Sequence, residues 1–172
     1  MGTHDDDYVK ELLSTSTHDY LLFFTNKGKV YQKKAYTIPE YGRTAKGLPI
    51  VNIIEIAQDE EISAIIPVKE FNENEFLFFA TRTGVVKRTT LSAFGNIRTN
   101  GLIALSLRED DELIGVRKTT GSNDIVIASS GGKLVWFEED QVRSMGRTAA
   151  GVRGINLEEG EVAVGMEIVT ED

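Results

Sequence analysis

A short polar motif recurs along this chain. GRTAKG at residues 42–47 returns as GRTAAG at 146–151, and a weaker copy, NIRTNG, lies between them at 96–101. In each copy a cation and a Thr stand shortly before a glycine, and an apolar segment follows at once: LPIVNI, LIALSL and VRGINL. That order reads as a loop entering a strand. A polar loop has no packing reason to recur three times, so the chain is internally repeated, and a repeated chain folds by setting like units against one another.

The remaining residues follow the same script. In the first unit DYLLFFT, the turn Asn26-Lys27-Gly28 and KVYQKKAY form a predicted hairpin, followed by the loop, the strand LPIVNIIEI, a charged turn and ISAIIPV. The second unit reads NEFLFFAT, Arg82-Thr83-Gly84, VVKRTTL, loop, LIALSL, REDDE, LIGVRKT; the third reads NDIVIAS, Ser130-Gly131-Gly132, KLVWF, loop, VRGINL, EEGE, VAVGMEIVT. Turn glycines Gly28, Gly84 and Gly132 stand where a hairpin needs positive φ. They and the loop glycines Gly47, Gly101 and Gly151 return roughly every 50 residues, the span of a propeller blade. The predicted fold is all-β and β-propeller-like, with four-stranded blades over about 19–71, 72–122 and 123–172 and a polar lead-in over 1–18.

A lone four-stranded unit cannot cover both faces of its sheet, so each must bury itself against its neighbours. Three blades are fewer than the roughly four to eight that close a propeller. The expectation is an open arc cut from a longer chain, prone to self-association at its bare end. Met1-Gly2-Thr3 reads as an artificial start, and Glu171-Asp172 arrives without a stop signal.

Composition narrows the function. Cysteine is absent, which excludes disulfides, thiolate metal sites and a Cys nucleophile. No long apolar run or secretory leader is present, so a cytoplasmic chain with no membrane partner is expected. The formal net charge of -8 argues on average against nucleic acid, but the charge is sorted within each repeat. Cations occupy hairpins and loops: Lys27, Lys29, Lys33, Lys34, Arg43 and Lys46; then Arg82, Lys87, Arg88 and Arg98; then Lys133, Arg143, Arg147 and Arg153. Acids gather at the last turn of each unit: Asp59, Glu60 and Glu61; Glu109, Asp110, Asp111 and Glu112; Glu158, Glu159 and Glu161. Equivalent blades would place these sets on a basic rim and an acidic rim. A basic rim suits a phosphate backbone, whose affinity follows local charge.

No catalytic constellation emerges. The carboxylates of polar turns diverge into water and lack Ca²⁺-loop spacing, so neither metal nor other cofactor is expected. His4 and His18 have no nucleophile motif beside them, Gly131-Gly132-Lys133 lacks the rest of a phosphate-binding loop, and Trp136 is expected in the core or between blades.

The stretches LLFFTNKGKVYQKKAYTIPEYGRTAKGLPIVNII, FLFFATRTGVVKRTTLSAF and SMGRTAAGVRGINLEEGE resemble the family of DNA gyrase and topoisomerase IV C-terminal domains, from about Tyr8 to the end. The resemblance implies a six-bladed β-pinwheel, of which this chain would hold about three blades, with a basic perimeter that binds duplex DNA and bends it around itself. It also implies a DNA gyrase parent, an ATP-dependent type II topoisomerase. The partners so implied are the remainder of the gyrase A polypeptide and the gyrase B polypeptide, with the wrap supporting negative supercoiling. The family's basic signature of the type QRRGGKG is missing, which leaves this piece without the element most needed for wrapping. The DNA-binding residues so implied are Arg43, Lys46, Arg98, Arg147 and Arg153 from the loops and Lys27, Lys29, Lys33, Lys34, Arg82, Lys87 and Arg88 from the hairpins. Topoisomerase IV is the rival parent. A propeller-type protein-interaction module, using the acidic rim or blade ends, is the rival of another class.

Overall fold

The computed structural model describes residues 20–34, 60–95, 97 and 101–169. They form eleven strands: β1 (Tyr20–Thr25), β2 (Lys29–Lys34), β3 (Ile62–Val68), β4 (Phe76–Thr81), β5 (Val85–Thr90), β6 (Leu102–Ile103), β7 (Leu113–Thr119), β8 (Asp124–Ser129), β9 (Leu134–Glu138), β10 (Val152–Arg153) and β11 (Ala163–Val169). The fold is all-β and propeller-like, with three antiparallel sheets ordered β3-β1-β2-β6, β10-β5-β4-β7 and β11-β8-β9. The long strand predicted at LPIVNIIEI lies outside the described residues.

Each hairpin forms where a buried apolar run meets a glycine turn. Gly28, Gly84 and Gly132 take φ values of 82°, 94° and 87°, a left-handed conformation that a side chain would strain. β3, β7 and β11 return beside β1, β4 and β8, and β3 packs against β7 and β7 against β11, so these strands join the three sheets to one another. The second sheet is buried on both faces, which explains the unbroken run FLFFA. Leu77 and Phe79 face the first sheet in a core with Leu22, Phe24, Val30 and Phe94; Phe78 and Ala80 face the third with Ile125, Ile127, Ile155 and Met166. Phe24 and Phe79 meet edge to face with centroids 5.6 Å apart.

The pairing partner of the third strand, which the repeat pattern leaves open, is set by the sheets: in the second and third repeats that strand does not complete its own blade. β6, from the second repeat, pairs with β2 of the first (Lys29↔Ile103, Val30↔Leu102), and β10, from the third, pairs with β5 of the second (Val85↔Arg153, Val86↔Val152). These strands are only two residues long because the chain is then pulled into a latch. The amides of Ala104 and Leu105 both donate to the Gly28 carbonyl (2.7 and 3.2 Å), and those of Gly154 and Ile155 donate to that of Gly84 (2.8 and 3.3 Å). The turn glycine is needed for the approach as well as for φ. A Cβ on Gly84 would stand 2.7 Å from the Ile155 carbonyl oxygen.

Candidate nucleic-acid interface

Strand exchange sets β6 and β10, which follow two of the basic loops, on the outer edge of the preceding sheet. The best described case is the loop 146–151, which docks on the second repeat through backbone and side-chain bonds alike. Ser106 donates its amide to the Ala149 carbonyl (3.4 Å) and its hydroxyl to the Thr148 carbonyl (2.6 Å), while Arg147 Nη1 donates to the Ile103 carbonyl (2.8 Å). Gly151, at φ 93°, passes so close to β5 that a Cβ would meet the Val86 carbonyl oxygen at 2.5 Å. The outer edge of the second sheet is therefore composite, with its loop and last strand supplied by the next repeat.

Among the described candidates, Lys29, Lys33 and Lys34 are exposed on β2, with the Lys34 ammonium 5.6 Å from the Tyr20 ring centroid. Arg153 is exposed on β10, and Arg147 is half-buried with part of its guanidinium spent on the Ile103 carbonyl of β6. Arg43, Lys46 and Arg98 lie outside the described residues.

Lys87 and Arg88 require correction, because both point into the interior. Lys87 is fully buried, its Nζ donating to the carbonyls of Ala104 (2.5 Å) and Arg147, with the Phe79 ring centroid 5.3 Å away. Burial, with the Arg147 guanidinium as a smaller cause, pushes its pKa down to about 7. Arg88 lies 4.5 Å over the Phe76 ring, donates from Nε to the Val142 carbonyl (2.9 Å) and pairs with the fully buried Glu139 at 3.5 Å. Glu139 in turn accepts from the Thr119 hydroxyl and the Asn123 amide (3.0 and 3.1 Å). This network joins the second and third repeats, and a buried ion pair so satisfied is costly to break from either side.

The separation of a basic rim from an acidic rim is also corrected at the hairpin turns. Asn26, Arg82 and Ser130 donate their amides to the carbonyls of Glu61, Glu112 and Val162 (2.9, 2.8 and 2.8 Å), so each hairpin turn is stitched to the acidic turn of its own repeat. One acid per turn faces inward rather than into water. Asp111 accepts from the Thr83 amide and hydroxyl (3.0 and 2.7 Å), Glu60 accepts from the Tyr31 hydroxyl (3.3 Å), and Glu161 accepts from the Ser129 hydroxyl. The Ser129 bond, followed by the Glu158 amide, holds the Glu161 carboxyl below the usual range. Lys27 and Arg82 therefore stand among acids, a poor place to meet phosphate.

Trp136 departs from its expected core position. It is 61% exposed on β9, with Nε1 donating to Asp124 (2.9 Å), because among the described residues no strand covers the outer side of β9.

Sequence reasoning missed the loop seat, Ile103 and Ser106. The signal was the recurrence of Gly101 and Gly151 immediately before short apolar runs, which marks a close backbone approach. Among the described residues no helix is long and apolar enough to cross a membrane.

Comparison with known proteins agrees with this architecture. A profile described as "DNA gyrase C-terminal domain, beta-propeller" matches residues 19–69, 75–120 and 123–170. The DNA gyrase A polypeptide of Halalkalibacterium halodurans is 56% identical over 156 residues, covering 91% of this chain and 19% of the relative. Among solved structures, the C-terminal domain of DNA topoisomerase IV superposes with a TM-score of 0.82 at 37% identity, covering 90% of this chain and 48% of that one. The DNA gyrase A C-terminal domain superposes with a TM-score of 0.70 at 28% identity, covering 88% and 48%. The chain thus spans about a fifth of its curated relative and just under half of these solved domains. Three matched repeats and three sheets that exchange strands lead to one conclusion: this chain belongs to the DNA gyrase C-terminal domain family.

Proposed function

We propose that this chain is a DNA-binding part of a DNA gyrase A polypeptide, holding duplex DNA along the outer edges of its sheets and supporting negative supercoiling by the whole enzyme. The observation that carries the reading is the composite edge, where loop 146–151 is tied to Ile103 and Ser106 of the second repeat and β10 pairs with β5, with Arg153 exposed and Arg147 half-buried. A locked loop presents cations and backbone at fixed positions, which suits phosphate contacts and tolerates any sequence. Lys29, Lys33 and Lys34, exposed on β2, offer cations on the first sheet. Chemistry is left to the rest of gyrase A and to gyrase B, with which this part works in the cytoplasm.

A salt titration of binding to a long linear duplex tests this. The association constant should fall with a log–log slope of about -0.9 for each phosphate engaged. Binding without salt dependence, or none at low salt, would overturn it.

The topoisomerase IV parent is favoured by the 0.82 superposition. The two parents separate on reconstitution, since only a gyrase introduces negative supercoils. Exposed Leu134 and Trp136 favour a protein-interaction edge, and that reading requires partner binding that survives reversal of the perimeter charges.

A further inference from the structure

The second sheet carries a lysine where its neighbours do not. Counting from the turn glycines, Lys87 is equivalent to Tyr31 and Val135. At the first junction the Tyr31 ring lies against the following loop, so close that a Cβ on Gly101 would meet it at 2.7 Å. At the second junction the same position sends an amine beneath loop 146–151, where it binds a carbonyl of that loop and one of the second repeat's own latch. We propose that Lys87 is a positioning residue for the third basic loop: wedged between the repeats, its amine holds the Arg147 backbone and so fixes where the loop presents its cation to DNA.

This rests on the DNA-binding reading for its functional half, while the docking half stands on geometry alone. Arg147 reaches across to Ile103 from the side chain and to Lys87 from the carbonyl, so its backbone and guanidinium are anchored at separate points of the second repeat. Charged groups facing the amine are few. Arg147 comes from the docked loop, β4 contributes the uncharged Phe79 ring, and the latch contributes the Ala104 carbonyl.

Docking is therefore linked to a proton, and the sign follows from the two environments. Docked, the amine titrates at about 7; released to water, it returns to its ordinary 10.5. Between those values the docked state binds fewer protons than the released state, so raising the pH tightens docking and acidification loosens it.

The test compares the unaltered chain with Lys87→Met by hydrogen exchange at the Ser106 amide and across 146–151, alongside DNA binding, from pH 7 to about 9. In the unaltered chain the loop-opening constant, corrected for intrinsic exchange, should fall by up to about tenfold per pH unit. In Lys87→Met it should be flat, and the corresponding pH dependence of DNA affinity should vanish. The same pH profile in both proteins overturns the proposal. Should Lys87→Met fail to fold, the Lys87 ¹³Cε resonance of the unaltered chain decides: a midpoint near 7 supports the wedge, and one near the ordinary value overturns it. Loss of DNA binding by the unaltered chain with the exchange profile intact would sink the DNA reading and leave the wedge standing.

Discussion

The outer edges of the second and third sheets are built from the same sequence pattern and end in opposite states. On β5, Val86 is 1% exposed beneath β10, and the Gly84 carbonyl accepts two amides from the third repeat. On β9, the equivalent Leu134 is 64% exposed, and nothing stands within 4 Å of a Cβ built on Gly132. The hairpins themselves match in register, with Ala80↔Val86 in one and Ala128↔Leu134 in the other. What differs is the incoming loop and strand. The loop that carries the candidate DNA contacts is thus also the element that seals a core, so binding surface and blade-to-blade packing come from one segment.

The largest effect expected from this contrast is at the paired apolar positions. Val86→Asp places an unpaired carboxylate under β10 and should cost more than about 4 kcal/mol in denaturant unfolding. Leu134→Asp, in solvent, should fall within about 0.5 kcal/mol of the unaltered chain. Equal costs would mean that β10 does not seal the edge. A smaller effect separates the turn glycines. Both have positive φ, so alanine should cost about 1 kcal/mol at Gly132 from backbone strain alone. Gly84→Ala must also displace the Ile155 carbonyl, and should cost about 2 kcal/mol more than its counterpart. Identical losses would remove the latch from the account.

Much of the architecture was legible in the letters. Strand positions followed from apolar runs closed by Gly28, Gly84 and Gly132, because a hairpin turn demands backbone freedom at a fixed offset. Which sheet a strand joins was not legible, since a repeat period reports the unit and not its pairing partner. β6 and β10 cross to the preceding sheet through backbone bonds that leave little side-chain signature. The interior cations failed for a related reason. VVKRTT reads as a half-exposed strand, yet both of its faces are covered, so alternation carries no exposure information there. The clue to Lys87 lay in alignment with Tyr31 and Val135, positions whose apolar bodies imply an inward side chain. The acids were misread because Asp111, Glu60 and Glu161 find hairpin donors that lie far away in sequence.

The central claim is that DNA is gripped on the composite outer edges and not at the acid-stitched turns. Its most direct test is the salt slope of duplex binding for two charge-reversed proteins. One carries Lys33→Glu, Lys34→Glu and Arg153→Glu on the edges; the other carries Lys27→Glu and Arg82→Glu at the turns. The account predicts that the edge variant loses affinity and that its slope shrinks by about one unit for each phosphate contact removed, while the turn variant keeps the original slope. An unchanged slope in the edge variant, with the loss appearing in the turn variant instead, would contradict it.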